Sequence, residues 1–438
     1  MKKSLLIILL GALFPCFLIA QKPFVAKWRS DKNGLVKIFT SEEFKYKFSV
    51  DWDNDGIYDE SNIDCSISHQ YNGKSKDYTI AIKGDFPHIN YQNFLVDVCQ
   101  WGDIKWKSME MAFLKNDLIE YFSAEDVPNL LDVKSIRSML YGATKFNGDI
   151  GRWDVSSVEI MYGLFLGASM FNKDLSDWDV SKVKDMSLMF ADALSFNQNL
   201  NDWDVGKVKT MEGMFYGAKT FNQDIGNWNV SRVDNMSFMF TNALMFDQNL
   251  SDWNVGNVNS MRNMFSGAKK FQGEISLWDI VGVYDMANMF TDVSLSTEVY
   301  NRILIAWSEL PVTFHIWFNA GNTYFSGEEA RKAREKLTNE CDWIITDLGE
   351  KTVGIEENKE NLEKKTLIYP NPSCGKIYLQ IPDIKQWPIE IRIINSKGFE
   401  VYNKICSNSN IQLNLDSGVY VMILRQEDKI YTEKLVIK

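Results

Sequence analysis

Residues 171–195 read FNKDLSDWDVSKVKDMSLMFADALS, and residues 196–220 read FNQNLNDWDVGKVKTMEGMFYGAKT. The two lines superpose without a gap, and the frame continues in both directions. Phe146, Phe171, Phe196, Phe221, Phe246 and Phe271 open the frames, and Trp153, Trp178, Trp203, Trp228, Trp253 and Trp278 follow seven residues on. A strict period of 25 residues marks a repeat architecture, in which one small unit stacks on copies of itself. Such an array presents a long, variable surface rather than one deep pocket. Binding is the expected role.

The other apolar positions keep the same register. Val158 recurs to Val283, Met161 to Met286, Phe165 to Phe290 and Ala168 to Ala268. Steps of three, four and three along Val, Met, Phe and Ala predict one face of a short helix. Trp178 and Val180, two apart and flanked by Asp177 and Asp179, predict a strand instead. Each unit is thus expected to be a short strand at the Trp-[Asp/Asn]-Val step, a turn, and a short helix. Side chains this large bury ~150–250 Å² each only when copies stack. The methionine column reads as core filling rather than a metal or redox stripe. Asn147, Asn172, Asn197 and Asn222 predict an asparagine ladder, because a buried amide needs partners. A fifty-residue period overlies the first: FADALS, FYGAKT, FTNALM and FSGAKK alternate.

The consensus W-[DN]-V-x-x-V-x-x-M-x-x-M-F-x-x-A-x-x-F-N resembles the repeat of the BspA-like leucine-rich surface proteins. The resemblance covers about residues 100–290, with QWGDIKWKSMEMAF and AEDVPNLLDVKSIRSML as entry repeats. Leu140 departs from the Phe column and Val293 from the Ala column. YNRILIAWSEL and GNTYFSGEEARKAREKLTNECDWIITD are similar to its closing segment. The resemblance implies surface adhesion. The expected fold is α+β: a right-handed, leucine-rich-repeat-like solenoid over 95–292, a capping segment over 293–350, and a β-sandwich module on either side.

Lys2 and Lys3, an apolar run and a small residue at Ala20 predict a secretory signal peptide over 1–20. Pro15 directly before Cys16 makes a poor lipoprotein motif. No other stretch is apolar enough to span a bilayer. The net charge of −11 argues against nucleic acid and anionic membranes as partners. Residues 21–94 alternate as strands do, through FKYKFSVDWDNDGIYDE and YTIAIKGDF, and resemble a β-sandwich of the polycystic-kidney-disease (PKD-like) type. Within it Asp51, Asp53, Asp55 and Gly56 match the start of a calcium loop. Asn62 replaces the closing Glu and no flanking helices are predicted, so a plain acidic hairpin turn competes with calcium. No other cofactor signature is present.

A charged linker over 351–366 leads to alternating strands with Gly- and Asn-bearing turns. LIYPNPSCGKIYLQI, IEIRIINSKGFEVYN and LDSGVYVMILRQEDKIYTEKLVIK, over 367–438, resemble the type A sorting domain of the type IX secretion system. That resemblance implies export across the outer membrane, followed by anchoring or release. Cys65, Cys99, Cys341, Cys374 and Cys406 lie outside the repeats and share no metal-like spacing. Export permits bridges among them, and an odd count leaves one thiol over.

Three histidines, His69, His88 and His315, lie in no nucleophile or base constellation, and no phosphate or dinucleotide loop occurs. A non-catalytic binder of an extracellular protein or glycan is expected, with a structural spacer or coat component as the alternative. The candidate binding face is Asp177, Asp179, Asp202, Asp204 and Asp252, expected in rows ~4.8 Å apart on a strand ladder. Lys182, Lys184, Lys207, Lys209 and Arg232 follow closely enough to offset the stacked charges.

Overall fold

The computed structural model describes residues 21–351, apart from 74 and 93, together with 367–369, 376–380, 389–395, 399–406, 410–426 and 429–437. The expected signal peptide at 1–20 lies outside the described residues, as does all but the first residue of the linker. The chain divides into two compact units, Met1–Thr352 and Val353–Lys438.

The first unit opens with seven strands: β1 (Phe24–Arg29), β2 (Leu35–Ile38), β3 (Lys47–Asp51), β4 (Glu60–Ile63), β5 (Ile67–Gln70), β6 (Asp77–Asp85) and β7 (Leu95–Gln100). Five form an antiparallel sheet in the order β4-β3-β6-β1-β7, and β2 pairs with β5. Alternation decides which face is core: Phe24, Ala26 and Trp28 of β1 are buried, while Val25, Lys27 and Arg29 are half-exposed. That core runs straight into the repeats. Trp101 meets Trp106 and Trp153 edge-on at 6.2 and 5.2 Å between ring centres.

The repeats correct the expected fold class. Among the described residues the regular structure is mostly β, in several antiparallel sheets, with only two helices, α1 (Thr297–Ser308) and α2 (Glu328–Asn339). Neither helix lies in the repeats. The Trp-[Asp/Asn]-Val step is not a strand and the Val-Met-Phe-Ala segment is not a helix. A leucine-rich repeat needs a strand in every unit. Here each coil supplies a single bridged residue, along Ser135, Ile160, Asp185, Thr210, Asn235, Ser260 and Asp285. No leucine-rich-repeat solenoid forms.

Hydrogen-bond direction explains the missing helix. Leu164 N–H bonds Met161 O at 3.2 Å and Ala168 N–H bonds Phe165 O at 2.9 Å, which closes tight three-residue turns. The intervening N–H groups of Met161, Gly163, Phe165 and Gly167 donate sideways to Asp185, Ser187, Met189 and Ala191 of the next coil. A helix would need those donors for itself. Two left-handed residues per coil permit the change of direction, Gly163 and Gly167 in one and Leu188 and Asp192 in the next. This accounts for the fifty-residue period. A Cβ on Gly213 would lie 2.6 Å from Leu188 Cδ2, and one on Gly217 would lie 2.2 Å from Asp192 Oδ1. Glycine in alternate coils leaves room for the side chain of its neighbour.

The apolar columns stack as rings on rings. Phe190, Phe215, Phe240 and Phe265 follow one another at 5.5–5.7 Å, and Trp228, Trp253 and Trp278 lie near-parallel at 6.3–6.5 Å. Each indole also donates to the preceding coil: Trp203 Nε1–H bonds Leu175 O at 3.0 Å and Trp228 Nε1–H bonds Leu200 O at 2.9 Å. The asparagine column forms a ladder, in which Asn147, Asn172 and Asn197 Oδ1 accept the N–H of Asn172, Asn197 and Asn222. Asp247 and Gln272 continue it.

Beyond the last repeat, α1 is capped by Ser296, whose hydroxyl accepts Val299 N–H at 3.2 Å, and it buries Val299, Tyr300, Ile303, Leu304 and Trp307. Two short parallel strands follow, β8 (Trp317–Asn319) and β9 (Ile344–Thr346). Met286 bridges Phe318, so the one-residue rungs of the repeats continue through β8 into β9. Arg334 of α2 clasps buried Asp347 with two bonds of 2.7 and 3.1 Å, and Tyr300 donates to the same carboxylate.

The second unit contains β10 (Leu367–Tyr369), β11 (Lys376–Gln380), β12 (Ile389–Asn395), β13 (Glu400–Cys406), β14 (Asn410–Asn414), β15 (Gly418–Gln426) and β16 (Lys429–Ile437). They form two antiparallel sheets, β10-β11-β14 and β13-β12-β15-β16. Ile391, Ile393, Met422, Leu435 and Ile437 are buried from alternate positions of the larger sheet.

Candidate functional site

The outward columns of the array are built on turns. Asp179 Oδ1 accepts Ser181 N–H and Asp204 Oδ1 accepts Gly206 N–H, both at 3.0 Å. Asp154, Asn229, Asn254 and Asp279 do the same in their own coils. A short acceptor two residues before a turn donor is what this backbone requires, so Asp and Asn interchange along the column. The charged rows therefore sit on turns rather than on the expected strand ladder. The bridged rung passes six residues further on, at Asp185 and its equivalents. Asp177, Asp179, Asp202, Asp204 and Asp252 are all exposed.

Charge on this face is mixed. The Ser181 hydroxyl and N–H, with Lys182 and Lys207 behind them, hold the Asp179 carboxyl below the usual carboxylate range. Glu159 lies between two cations, with Lys184 Nζ at 2.5 Å and Lys134 Nζ at 3.6 Å, and these hold it low as well. The three residues occupy successive rungs, with Glu159 N–H bonding Lys134 O and Lys184 N–H bonding Glu159 O. Lys182, Lys207, Lys209 and Arg232 stand exposed nearby. Such a face suits a hydroxyl-rich or zwitterionic surface better than a run of one charge.

The acidic hairpin brings Asp51, Asp53 and Asp59 together, with one oxygen from each within 4.8 Å of the others. Asp55 turns away, and its Oδ1 accepts Ile57 N–H at 2.7 Å. Asp59 is the member that spacing alone missed, because it returns from the far side of the hairpin. Asp51 is 1% exposed and accepts Asp55 and Gly56 N–H, while Asp59 accepts Trp52 N–H. Burial, then Asp55, raises the Asp53 carboxyl above its ordinary value. Three oxygens of this kind suit a hard cation such as calcium, yet two of the three groups already serve the turn.

The remaining reactive side chains are dispersed. His88 is buried, bonds Glu110 O through Nε2 at 2.8 Å, and is pushed toward its neutral form by desolvation. His69 stacks on Trp52, and exposed His315 pairs with Asp342 at 2.9 Å. Cys65, Cys99 and Cys341 are free thiols, and burial raises that of Cys99. Cys406 ends β13, and Cys374 lies outside the described residues.

With this geometry in hand, likeness to known proteins separates the two parts of the chain. Residues 367–438 match the secretion system C-terminal sorting domain. The tail is an export signal. It fits the type IX secretion machinery and marks the chain as secreted or attached at the cell surface. Residues 107–215 and 198–302 match the family described as Mycoplasma protein of unknown function, DUF285, in two overlapping stretches along the array. No curated protein matches the chain. No helix among the described residues is long and apolar enough to cross a membrane.

Proposed function

We propose that this protein is a BspA-like surface adhesin, which presents the outward columns of its array to an extracellular protein or glycan. It acts as a binder and not as an enzyme, and needs no cofactor for it. The observation that supports the reading is the contrast between columns. Trp, Val, Met and Phe recur unchanged inside, whereas the exposed position of Lys184 is Glu159, Lys209, Asp234, Asn259 and Tyr284 in other coils. Packing constrains the first set and leaves the second free to suit a partner. Export to the cell surface puts that face where such partners are.

A spacer or coat role is the second reading, favoured by the engagement of Asp179 and Asp204 in their own turns. Replacing Asp177, Asp179, Asp202 and Asp204 together by Asn separates the two. Asn229 and Asn254 already hold the same turn, so the fold should survive and the melting curve should stay in place. A binding face loses adhesion, with a weaker salt dependence. Unchanged adhesion would leave the spacer.

A further inference from the structure

Three exposed columns turn apolar together in the last repeat, as two of them also do at Val127 and Leu131 of the entry repeat. The column holding Asp177, Asp202, Asn227 and Asp252 ends in Leu277, and that of Ser181, Gly206, Ser231 and Gly256 ends in Val281. The Lys184 column ends in Tyr284. None of the three is covered: Leu277 is 74% exposed and Tyr284 64%. The next rungs extend the same apolar surface. Thr313 Oγ1 bonds Val281 O at 3.1 Å, which sets Phe314 beside that turn. The Met286–Phe318 bridge sets Trp317 opposite Asp285, the neighbour of Tyr284, and Trp317 in turn pairs with Ile344. Phe314 and Ile344 are exposed, and Trp317 is 66% exposed.

We infer that this patch is a self-association surface, through which a second copy of the chain docks about a two-fold axis. The six side chains expose roughly 700 Å² of apolar surface, close to the ~800 Å² that one side of a standard protein interface buries. It exceeds the ~300–600 Å² of the largest patch on an ordinary monomer. Its centre is aromatic and free of Lys and Glu, as interface centres are. The rim carries both signs, with Arg262 against Asp285 at 3.5 Å. A two-fold operation lays such a surface on itself, apolar on apolar, with the Arg262 and Asp285 edges facing their counterparts. A purely basic or purely acidic partner would leave half of that rim unmatched. The inference rests on reading the array as an outward-facing surface module, and names the partner at its carboxy-terminal end.

Sedimentation velocity on the purified full-length protein, over a hundredfold range of concentration, tests it without any ligand and so independently of the adhesion assay. The chain should shift from monomer to dimer. Trp317→Asp and Tyr284→Asp should each weaken the association on the order of thirtyfold, as loss of a central interface aromatic does. Both positions are exposed, and unchanged circular dichroism should confirm that the variants fold. Leu131→Asp, an exposed residue of the Val281 column at the opposite end of the array, should leave the dimer intact. A chain that stays monomeric at the highest concentration overturns the inference. So does a dimer that both patch variants leave unaffected. A monomer whose Trp317→Asp variant loses adhesion would also overturn it, and would give the patch to a foreign partner.

Discussion

Truncating Trp203 to alanine should remove two separable contributions from the centre of the array. The ring is 4% exposed and packs 6.3 Å from Phe190, so its loss leaves a cavity between coils that cannot close without shifting both neighbours. Changes of this kind cost about 3–5 kcal/mol. The indole N–H also bonds Leu175 O, which keeps its bond from Trp178 N–H, so this lost hydrogen bond costs about 0.5–1.5 kcal/mol. Together the loss is about 3.5–6.5 kcal/mol, comparable with the whole stability of many domains. Trp203→Phe keeps most of the ring and removes only the donor, so it should cost about 0.5–1.5 kcal/mol. Urea unfolding followed by circular dichroism measures both. Hydrogen exchange should localise the damage to rung amides such as Lys209, which bonds Lys184 O at 2.9 Å. An unchanged urea midpoint for Trp203→Ala would refute the reasoning, because stability here is a sum over neighbouring interfaces.

The remaining expectations concern other parts of the chain. Asn197→Ala should cost about 1–3 kcal/mol by orphaning Asn222 N–H, while Asn197→Asp should be nearly neutral at pH 7, since Asp247 performs the same task natively; thermal melts decide. Burial alone would raise Glu274, yet the Ser276 hydroxyl and N–H and the Arg302 guanidinium hold its carboxyl below the ordinary value. A depressed folded-state pKa stabilises above the unfolded value of about 4.3 and is lost as pH falls through the lower folded one. Glu274→Gln should therefore flatten the decline of melting temperature between about pH 5 and 3. Deleting residues 367–438 should trap the protein in the periplasm, and normal surface or medium levels of the truncated chain would refute the export assignment.

The sequence by itself determined the period, the buried columns and the export tail. In a stacked repeat every copy of a position meets the same surroundings, so recurrence of Trp178 or Phe190 is already a statement about burial. The ladder of Asn147, Asn172, Asn197 and Asn222 was legible for the same reason, because a recurring amide must find a recurring partner. The secondary structure inside each coil was not. Met161, Phe165 and Ala168 have helical spacing, but spacing records which side chains share a face and not where the N–H groups point. Only the neighbouring coil decides that, by taking the donors of Met161, Gly163, Phe165 and Gly167. Asp179 and Asp204 looked like free surface carboxylates because the turn they hold is a backbone property. Asp59 joins Asp51 and Asp53 only when the hairpin closes. The exposure of Leu277, Tyr284 and Trp317 was likewise left to the tertiary structure: an apolar residue in a polar column is either covered by the next element or left bare, and the path of the chain after residue 290 settles which.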